Sequence, residues 1–291
     1  MSEYIHGSHP EEQKRLSLLN ELINGRCLEL INLTKGDRVI DIGSGLGQFT
    51  LAMADRVGED GFCLGIERDP EQIKVAEVNK MKNTERLPVE FRIGDVSDLN
   101  LKNEELESFE VGHARFILEH LSNPKLALNE LVKAIKPGGR IVLEDDDHAG
   151  FILFPEPPGF SILWNAYMRS YDCLGNDPFI GRRLVALLHE AGLRSIRNDL
   201  IFFGDCAGSP TFTSYVENLI GVIRTAYPTM IEHNLITAEA FKESIGQLKN
   251  GLRFRMLRYG IKSAGQKELK SNQNLSPTRG QSVPGLKINI T

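Results

Sequence analysis

A glycine-rich loop at residues 39–50 limits the fold of this chain more than any other feature. The segment reads VIDIGSGLGQFT: a short apolar strand, an aspartate, and then glycines at positions 43, 45 and 47. Glycine permits the tight turn that joins a strand to a helix, and it lets the backbone approach a ligand closely. The loop therefore predicts a nucleotide-binding strand–turn–helix unit, with a plain strand-to-helix turn as the alternative.

Strand-like and helix-like segments alternate between residues 38 and 143. The strand-like runs are RVIDI, GFCLGIE, VEFRIGD, FEVGHARF and GGRIVLE. Proline follows a capping residue at Asp69-Pro70 and at Asn123-Pro124, which is typical of helix starts. This alternation indicates a parallel sheet that is covered by helices on both faces.

The chain after residue 145 has a different pattern. The segment HAGFILFPEPPGFSILWNAYMRSY, rich in aromatic residues and proline, is interpreted as a loop and a helix at one end of the sheet. SIRNDLIFFGD and LRFRMLRYGI are interpreted as two further strands, and the residues between them have helical periodicity. The overall prediction is an α/β, Rossmann-like, mostly parallel seven-stranded sheet with helices on both faces and a helical cap inserted before the last strand.

These segments predict five parts of the chain. The last part is expected to be a disordered tail, because it is polar and contains SNQNLSPTRGQS. The five parts are an N-terminal lid and helix (1–34), a cofactor-binding core (35–206), the helical cap (207–250), a final core strand (251–263) and the tail (264–291).

Composition argues against several other classes of protein. The net charge of −5 gives no basic excess for binding a nucleic-acid backbone. The N-terminus has no apolar signal region, and no run of about 18 apolar residues is present, so no membrane span is expected. The four cysteines are too far apart in sequence for a zinc knuckle or a redox pair, which predicts buried thiols in a reducing compartment. We expect a cytoplasmic monomer or homodimer without a nucleic-acid or membrane partner.

The glycine spacing and the acid before it distinguish between two cofactors. A dinucleotide-binding loop has the pattern G-x-G-x-x-G, whereas this loop is G-x-G-x-G and has Gln48 where the third glycine would stand. Asp41 is a poor neighbour for a pyrophosphate but suits a ligand with an ammonium group. S-adenosylmethionine carries an ammonium, a sulfonium and no phosphate. The sequence therefore favours S-adenosylmethionine over NAD.

Two further acids end the second and third predicted strands. Glu67 is placed to accept both ribose hydroxyls, since a carboxylate has two acceptor oxygens. Asp95 is placed to accept the adenine amino group, with the backbone N–H of Val96 near the ring, and a turn cap is its alternative. Asp69 is a competing ribose ligand, although its position before Pro70 predicts a helix cap first.

Together these motifs resemble the class I S-adenosylmethionine-dependent methyltransferases. The matching pieces are VIDIGSGLGQFT, GIERDP, GDVSDL, ILEHLSNPKLALNELVKAIKPGG and RIVLEDDDH, in the family's order and over residues 35–205. The opening YIHGSHPEEQKRL is similar to that of a subgroup that methylates small molecules. The cofactor-binding residues implied by the resemblance are Asp41, Gly43, Ser44, Gly45 and Gly47 for the methionine portion, Glu67 for the ribose, Asp95 and Val96 for the adenine, Ala114 and Arg115 beside the methionine end, and Tyr4 in the N-terminal lid.

The fourth predicted strand is unusually polar for a strand in the middle of a sheet. It contains both His113 and Arg115. One of them is interpreted as a salt-bridge partner rather than a ligand contact.

Candidate acceptor-site residues follow the fourth and fifth strands. The turn LEDDDHAG places Asp147 and His148 at the end of the sheet that carries the cofactor loop, with a solvated turn as the alternative. His120, in ILEHLS, borders the same cleft, with side-chain packing as its alternative. Four consecutive residues cannot all face one ion, so no metal site is predicted. The candidate catalytic residues are therefore His148, His120 and Asp147.

Methyl transfer to a small molecule is the function that these features favour. The sulfonium is already an activated electrophile, so the protein has to place a nucleophile in line with the methyl group and exclude water. Aromatic residues beside acids suit an aromatic or amine-bearing acceptor. The alternatives are a non-catalytic S-adenosylmethionine-binding regulatory module and, less favoured, an NAD-dependent oxidoreductase. The aromatic residues concerned are Phe151, Phe154, Phe160, Trp164, Tyr167 and Tyr171.

Overall fold

The computed structural model describes residues 10–82, 87–263 and 289–290, with side chains described for residues 11–82 and 87–252. Within this part of the chain, five parallel strands form one sheet in the order β3-β2-β1-β4-β5. The strands are β1 (Arg38–Ile42), β2 (Phe62–Glu67), β3 (Val89–Ile93), β4 (Phe109–Arg115) and β5 (Ile135–Glu144).

The strand order reverses beside β1. The chain runs outward from β1 to β2 and β3, and then crosses back so that β4 pairs with the other side of β1. Ligands of open α/β sheets bind outside the carboxyl ends of the strands at such a switch point. The fold thus places a binding site next to the loop that follows β1.

Helices cover both faces of the sheet and extend beyond it. In chain order the helices are α1 (Pro10–Ile31), α2 (Gln48–Val57), α3 (Pro70–Lys82), α4 (Pro124–Ala134), α5 (Phe160–Cys173), α6 (Leu184–Glu190), α7 (Phe212–Thr225), α8 (Tyr227–Glu232) and α9 (Ala238–Ser263).

Alternate residues of each strand contribute to different apolar cores. On one face Ile40, Ile42 and Leu64 pack with residues of α4 and α6. On the other face Val39 and Val111 pack with residues of α1, α2 and α3. Successive side chains of a strand point to opposite faces, so a strand that is covered on both sides is apolar throughout. This is why β2, in the interior of the sheet, is almost entirely apolar, whereas the edge strand β3 alternates apolar residues with Glu90 and Arg92.

A third apolar core lies away from the sheet. It joins α5 to α7, α8 and α9, and it includes Tyr167 and Tyr171 of α5. The predicted cap at 207–250 consists of α7, α8 and the first half of α9. Arg15 of α1 donates a hydrogen bond of 3.0 Å to Asn218 of α7, which connects this helical layer to the N-terminal helix.

The prediction of seven strands is wrong, because the sheet has five strands in the described residues. The run LRFRMLRYGI, predicted as the final strand at 251–263, lies in α9. Leu248 and Leu252 are four residues apart and both enter the third core, which is helical and not strand spacing. The run is also rich in leucine, arginine and methionine, which are good helix formers.

The segment SIRNDLIFFGD contributes only a two-residue strand. This strand, β6 (Asn198–Asp199), pairs with β7 (Asn289–Ile290) in an antiparallel pair separate from the main sheet. Cys27 and Cys63 are buried free thiols as predicted, but Cys173 and Cys206 are exposed. The N-terminal lid before Pro10, with Tyr4, and residues 264–288 of the predicted tail lie outside the described residues. Among the residues that are described, no helix is both long and apolar enough to cross a membrane.

Candidate active site

A cavity of about 520 Å³ lies at the carboxyl ends of β1, β2 and β4. The chain supplies its wall from the glycine loop, from the ends of the strands, and from α1, α5 and α7. One end contains the predicted cofactor residues, and the other end contains a buried glutamate, two buried histidines and two buried tyrosines. We name the two ends after the roles that the sequence predicts for them. The cofactor end consists of Asp41, Gly43, Ser44, Gly45, Glu67, Asp95, Val96 and Arg115, and the acceptor end consists of Arg15, Glu119, His120, Asp146, His148, Tyr167, Tyr171 and Val222.

The glycine loop turns from β1 into α2 with three left-handed glycines. Gly43, Gly45 and Gly47 have φ values of 71°, 54° and 72°. Gly47 does not line the cavity, although it was predicted to bind the cofactor. A Cβ atom at Gly47 would lie 2.5 Å from Cζ of Phe91 and 2.8 Å from Cβ of Ala76. Gly47 therefore allows α2 to pack closely against the neighbouring strand and helix, as the last glycine of such loops does.

Asp41 is buried at the end of β1 and is held by two side chains. Its Oδ1 lies 2.7 Å from Nδ1 of His113, and its Oδ2 accepts a hydrogen bond of 2.5 Å from Oγ1 of Thr50. Burial alone would lower the pKa of His113, but the carboxylates of Asp41 and Glu144 raise the pKa of His113 to about 9. The polar fourth strand is thereby explained, since His113 is the salt-bridge partner of Asp41.

Arg115 connects the same group of charges to α1. Its Nη2 donates to Oδ1 of Asn20 (2.6 Å) and of Asn24 (2.9 Å), and its guanidinium lies 3.9 Å from the ring centroid of Phe49. Its Nη1 is 4.0 Å from Oε2 of Glu144. Burial alone would raise the pKa of Glu144, but His113 and Arg115 hold it below its usual value. Arg115 therefore anchors α1 and also lines the cavity.

Ala114, which was predicted beside the methionine end, is buried and does not line the cavity. Its side chain joins the core formed with α4 and α6, because neighbouring residues of β4 point to opposite faces. His113 and Arg115 therefore face the side of the cofactor loop and α1, whereas Ala114 faces the other side.

Glu67 and Asp95 line the cavity at the ends of β2 and β3. Glu67 accepts backbone hydrogen bonds from Gly45 (3.1 Å) and Asp69 (2.9 Å), so it also braces the glycine loop. Burial raises the pKa of Glu67. Asp95 accepts from both the backbone and the hydroxyl of Ser97, and these bonds lower the pKa of Asp95. Asp69 caps α3 by accepting from the backbone of residue 71.

Glu119 is the central group at the acceptor end, and the sequence interpretation overlooked it. Its side chain is 5% exposed, with Oε2 3.1 Å from Nε2 of His148 and Oε1 3.4 Å from Nε2 of His120. Burial alone would lower the pKa of His148, but Glu119 raises it. Burial lowers the pKa of His120 to about 4. Glu119 thus lies between a histidine whose pKa is raised and a histidine whose pKa is lowered by burial.

The turn after β5 places alternate residues in the cavity. Asp146 and His148 line it, whereas Asp147 accepts two hydrogen bonds from the exposed side chain of Arg182, at 2.6 and 2.7 Å. Burial and the nearby carboxylate of Glu119 raise the pKa of Asp146 to about 6. The structure therefore brings His148 and His120 together but does not bring Asp147 to them. Successive side chains of an extended segment point to opposite sides, so Asp146 is expected on the same side as His148. This spacing could have indicated Asp146 rather than Asp147 from the sequence.

Three aromatic rings surround His148. The ring centroids of Trp164, Tyr167 and Tyr171 lie 5.5, 5.3 and 5.1 Å from that of His148. The hydroxyl oxygens of Tyr167 and Tyr171 are 2.8 Å apart, and the indole N–H of Trp164 donates to the backbone oxygen of His148. Tyr167 and Tyr171 line the cavity, whereas Phe154 of the same predicted aromatic group is 94% exposed.

No group of three or more histidine, cysteine, aspartate or glutamate side chains is arranged to hold a metal ion in the described residues. The parallel sheet, its switch point, the left-handed glycine loop and the acid at the end of β2 define a Rossmann-like protein that binds a nucleotide cofactor. A family model described as a methyltransferase domain matches residues 33–155.

Known proteins extend this similarity beyond the matched domain. A demethylmenaquinone methyltransferase of Bacillus licheniformis is 24% identical over 66% of this chain and 89% of its own length. A 37.1 kDa transposon TN4556 protein of Streptomyces fradiae is 29% identical over 57% of this chain, which spans only 46% of that protein. The crystal structure of a putative methyltransferase from an antibiotic biosynthesis pathway of Anabaena variabilis superposes with a TM-score of 0.54 at 20% identity, over 82% of this chain and 89% of that one. Residues 33–155 therefore form a methyltransferase domain of the S-adenosylmethionine-dependent type, and S-adenosylmethionine is the cofactor of this domain.

Proposed function

We propose that this enzyme transfers the methyl group of S-adenosylmethionine to a small aromatic or amine-bearing molecule, which binds at the acceptor end of the cavity. One observation carries the proposal: the cofactor residues at the strand ends and the buried Glu119–His148 pair line the same cavity. A methyl donor bound by the first set and a nucleophile bound by the second would therefore share one cavity, as methyl transfer requires.

The cofactor end suits S-adenosylmethionine in its charge and its hydrogen-bonding groups. Asp41 supplies a carboxylate for the ammonium, and Glu67 supplies acceptor oxygens for the ribose hydroxyls. Asp95 and Val96 flank the position proposed for the adenine. When bound, the cofactor supplies an activated methyl group on a sulfonium. The remaining tasks of the protein are to orient the acceptor, exclude water and remove a proton.

The size of the cavity limits the acceptor. Pockets of roughly 300–1,000 Å³ each hold about one drug-sized ligand, and this cavity of about 520 Å³ has to hold both the cofactor and the acceptor. Most of the volume is therefore taken by the cofactor. An acceptor group of few heavy atoms fits what is left, unless the rest of the acceptor extends through the opening of the cavity.

His148 is proposed as the base that deprotonates the acceptor. A carboxylate beside an imidazole orients the ring and stabilises the imidazolium that forms, and Glu119 lies in that position. We propose that α1 and the helical cap keep water out of this end. Arg15 of α1 supports this role, because it forms a bidentate ion pair with Glu12 and also donates to Asn218 of α7.

Single-turnover methyl transfer from labelled S-adenosylmethionine tests the proposal. The acceptor panel contains small amines, phenols and demethylmenaquinone, the compound named in the Bacillus relative. With the acceptor that reacts, His148→Asn should lower the rate by roughly 10²–10⁴-fold, the usual contribution of a general base. His189→Asn, the same change at an exposed position of α6, is the matched control. Cofactor binding without transfer to any member of the panel would contradict the proposal.

A further inference from the structure

Two carboxylates line the acceptor end of the cavity, the buried one of Glu119 and the exposed one of Asp146. Both carboxylates raise the pKa of His148, the histidine that they share. The other histidine, His120, stays neutral because burial lowers its pKa to about 4. Arg15 also reaches the cavity, but its charge is matched by Glu12, whose side chain is 1% exposed. Two carboxylates thus face a single histidine, His148, that can take up a proton.

The hydrogen bonding of Glu119 is incomplete. Within the described residues, no side chain or backbone group makes a hydrogen bond to its Oε2, although this atom is buried. Nε2 of His148 lies 3.1 Å from Oε2 in an ion-pair contact, which leaves a lone pair of this oxygen unused. A buried carboxylate is costly unless it is both paired and hydrogen-bonded. A hydrogen-bond donor on a ligand in the cavity would complete the hydrogen bonding of Glu119.

Aromatic rings stand beside these carboxylates. Tyr171 stacks on His120 with ring centroids 5.6 Å apart, and Tyr167 packs against Tyr171 and His148. Ring faces attract organic cations, and the attraction strengthens where water is excluded. An excess of negative charge, an unsatisfied acceptor atom and aromatic walls all favour a ligand that is an organic cation.

We propose that the methyl acceptor is a small amine that binds as its ammonium ion, with Glu119 and Asp146 holding the charge and Tyr167 and Tyr171 enclosing it. This inference rests on the proposed function, because it names the acceptor class for that site. An ammonium N–H fits the open position on Oε2 of Glu119. A neutral phenol or alcohol would leave the excess negative charge unmatched.

The reaction balances with groups that the site contains. The bound ammonium gives one proton to neutral His148, which later releases it to solvent. The nitrogen lone pair then forms a bond to the methyl carbon, and the carbon–sulfur bond breaks with its electron pair going to sulfur. The sulfonium becomes a neutral thioether, and the methylated nitrogen carries the positive charge. The product is again an ammonium, so the same carboxylates hold both acceptor and product.

Equilibrium binding separates this inference from the proposed function. The protein is saturated with S-adenosylhomocysteine, so no transfer occurs, and is titrated with methylamine, propylamine and benzylamine and with the corresponding alcohols. At least one amine should bind ten or more times tighter than its alcohol. Glu119→Gln and, independently, Asp146→Asn should each reduce that preference several-fold. Glu190→Gln, which removes the same charge at an exposed position paired with Lys125, should preserve it.

The comparison of amine and alcohol affinities uses the wild-type protein alone, so it does not depend on whether a variant folds. Each variant counts only if its affinity for S-adenosylhomocysteine matches that of the wild type. Alcohols that bind as tightly as their amines, or an amine preference that survives both substitutions, would overturn the inference. If the amine preference is present but no member of the acceptor panel is methylated, the proposed function fails; if a phenol is methylated and no amine is, the inference fails and the proposed function stands.

Discussion

Nδ1 of His113 lies 2.7 Å from Oδ1 of Asp41, and both side chains are almost completely buried. The pairing of β1 with β4 places the two residues directly opposite each other. The carboxylate proposed to receive the cofactor's ammonium is therefore fixed before a ligand arrives. Fixing a binding group in advance reduces the entropy that binding would otherwise cost.

The stability of the protein should depend on the protonation of His113. Its pKa is about 9 in the folded chain, above the usual value of 6.5. The stabilisation is therefore complete below pH 6.5 and is lost as pH rises through 9. It amounts to roughly 3–4 kcal/mol at most, since one pKa unit corresponds to about 1.4 kcal/mol. Urea unfolding between pH 6 and 9.5 should show this decline in the wild type and a flatter profile in His113→Gln. His189→Gln is the control, and an equal decline in both variants would assign the effect to other groups.

Gly47→Ala should destabilise the fold more than Gly138→Ala. Both glycines have a left-handed backbone, with φ of 72° and 83°, so both substitutions carry a strain of about 1–2 kcal/mol. A Cβ atom at 138 has nothing within 4 Å, whereas at 47 it meets Phe91 at 2.5 Å. Overpacking should add roughly 1–3 kcal/mol at position 47. Denaturant midpoints of the two variants measure the difference in stability. Equal losses of stability would mean that α2 can move away from Phe91 without an energetic cost.

Glu67→Gln should weaken S-adenosylmethionine binding by about 1.5–3 kcal/mol, the usual contribution of a hydrogen bond to a charged group. Isothermal titration calorimetry gives the affinity. Glu71→Gln is a matched control, because Glu71 is exposed and pairs with the exposed side chain of Lys74. An unchanged affinity in Glu67→Gln would move the ribose contact to another residue, and Asp69 is the next candidate.

The pH dependence of methyl transfer should separate the two histidines. If neutral His148 is the base, the rate rises with pH through a pKa above the usual histidine value, because Glu119 raises the pKa of His148. Glu119→Gln should therefore move this rise to lower pH. His120 is already neutral above about pH 5, since its pKa is about 4, and His120→Asn should leave the position of the rise unchanged. Single-turnover rates from pH 5 to 9 provide the test, and a profile that His148→Asn does not alter would remove His148 as the base.

Much of the cofactor end could be predicted from the sequence. Asp41, the glycine loop, Glu67 and Asp95 follow successive apolar strands, and parallel strands have their carboxyl ends at one edge of the sheet. The residues at that edge can therefore be identified in the sequence, because each of them directly follows a strand. The distinction between Gly45, which lines the cavity, and Gly47, which contacts Phe91, required the packing of α2.

The sequence by itself determined the alternating strands and helices, the loop after β1 and the class of cofactor, because each depends on neighbouring residues and their periodicity. Only the tertiary structure decided which of two adjacent residues faces the cavity, as with Asp146 and Asp147. It also placed Glu119 between His120 and His148, which are distant from each other in the chain. It also decided that residues 251–263 continue α9, since Leu252 is buried against α5 and not in the sheet. Which side of a segment is buried depends on the helix or strand that packs against it, and that element is distant in sequence.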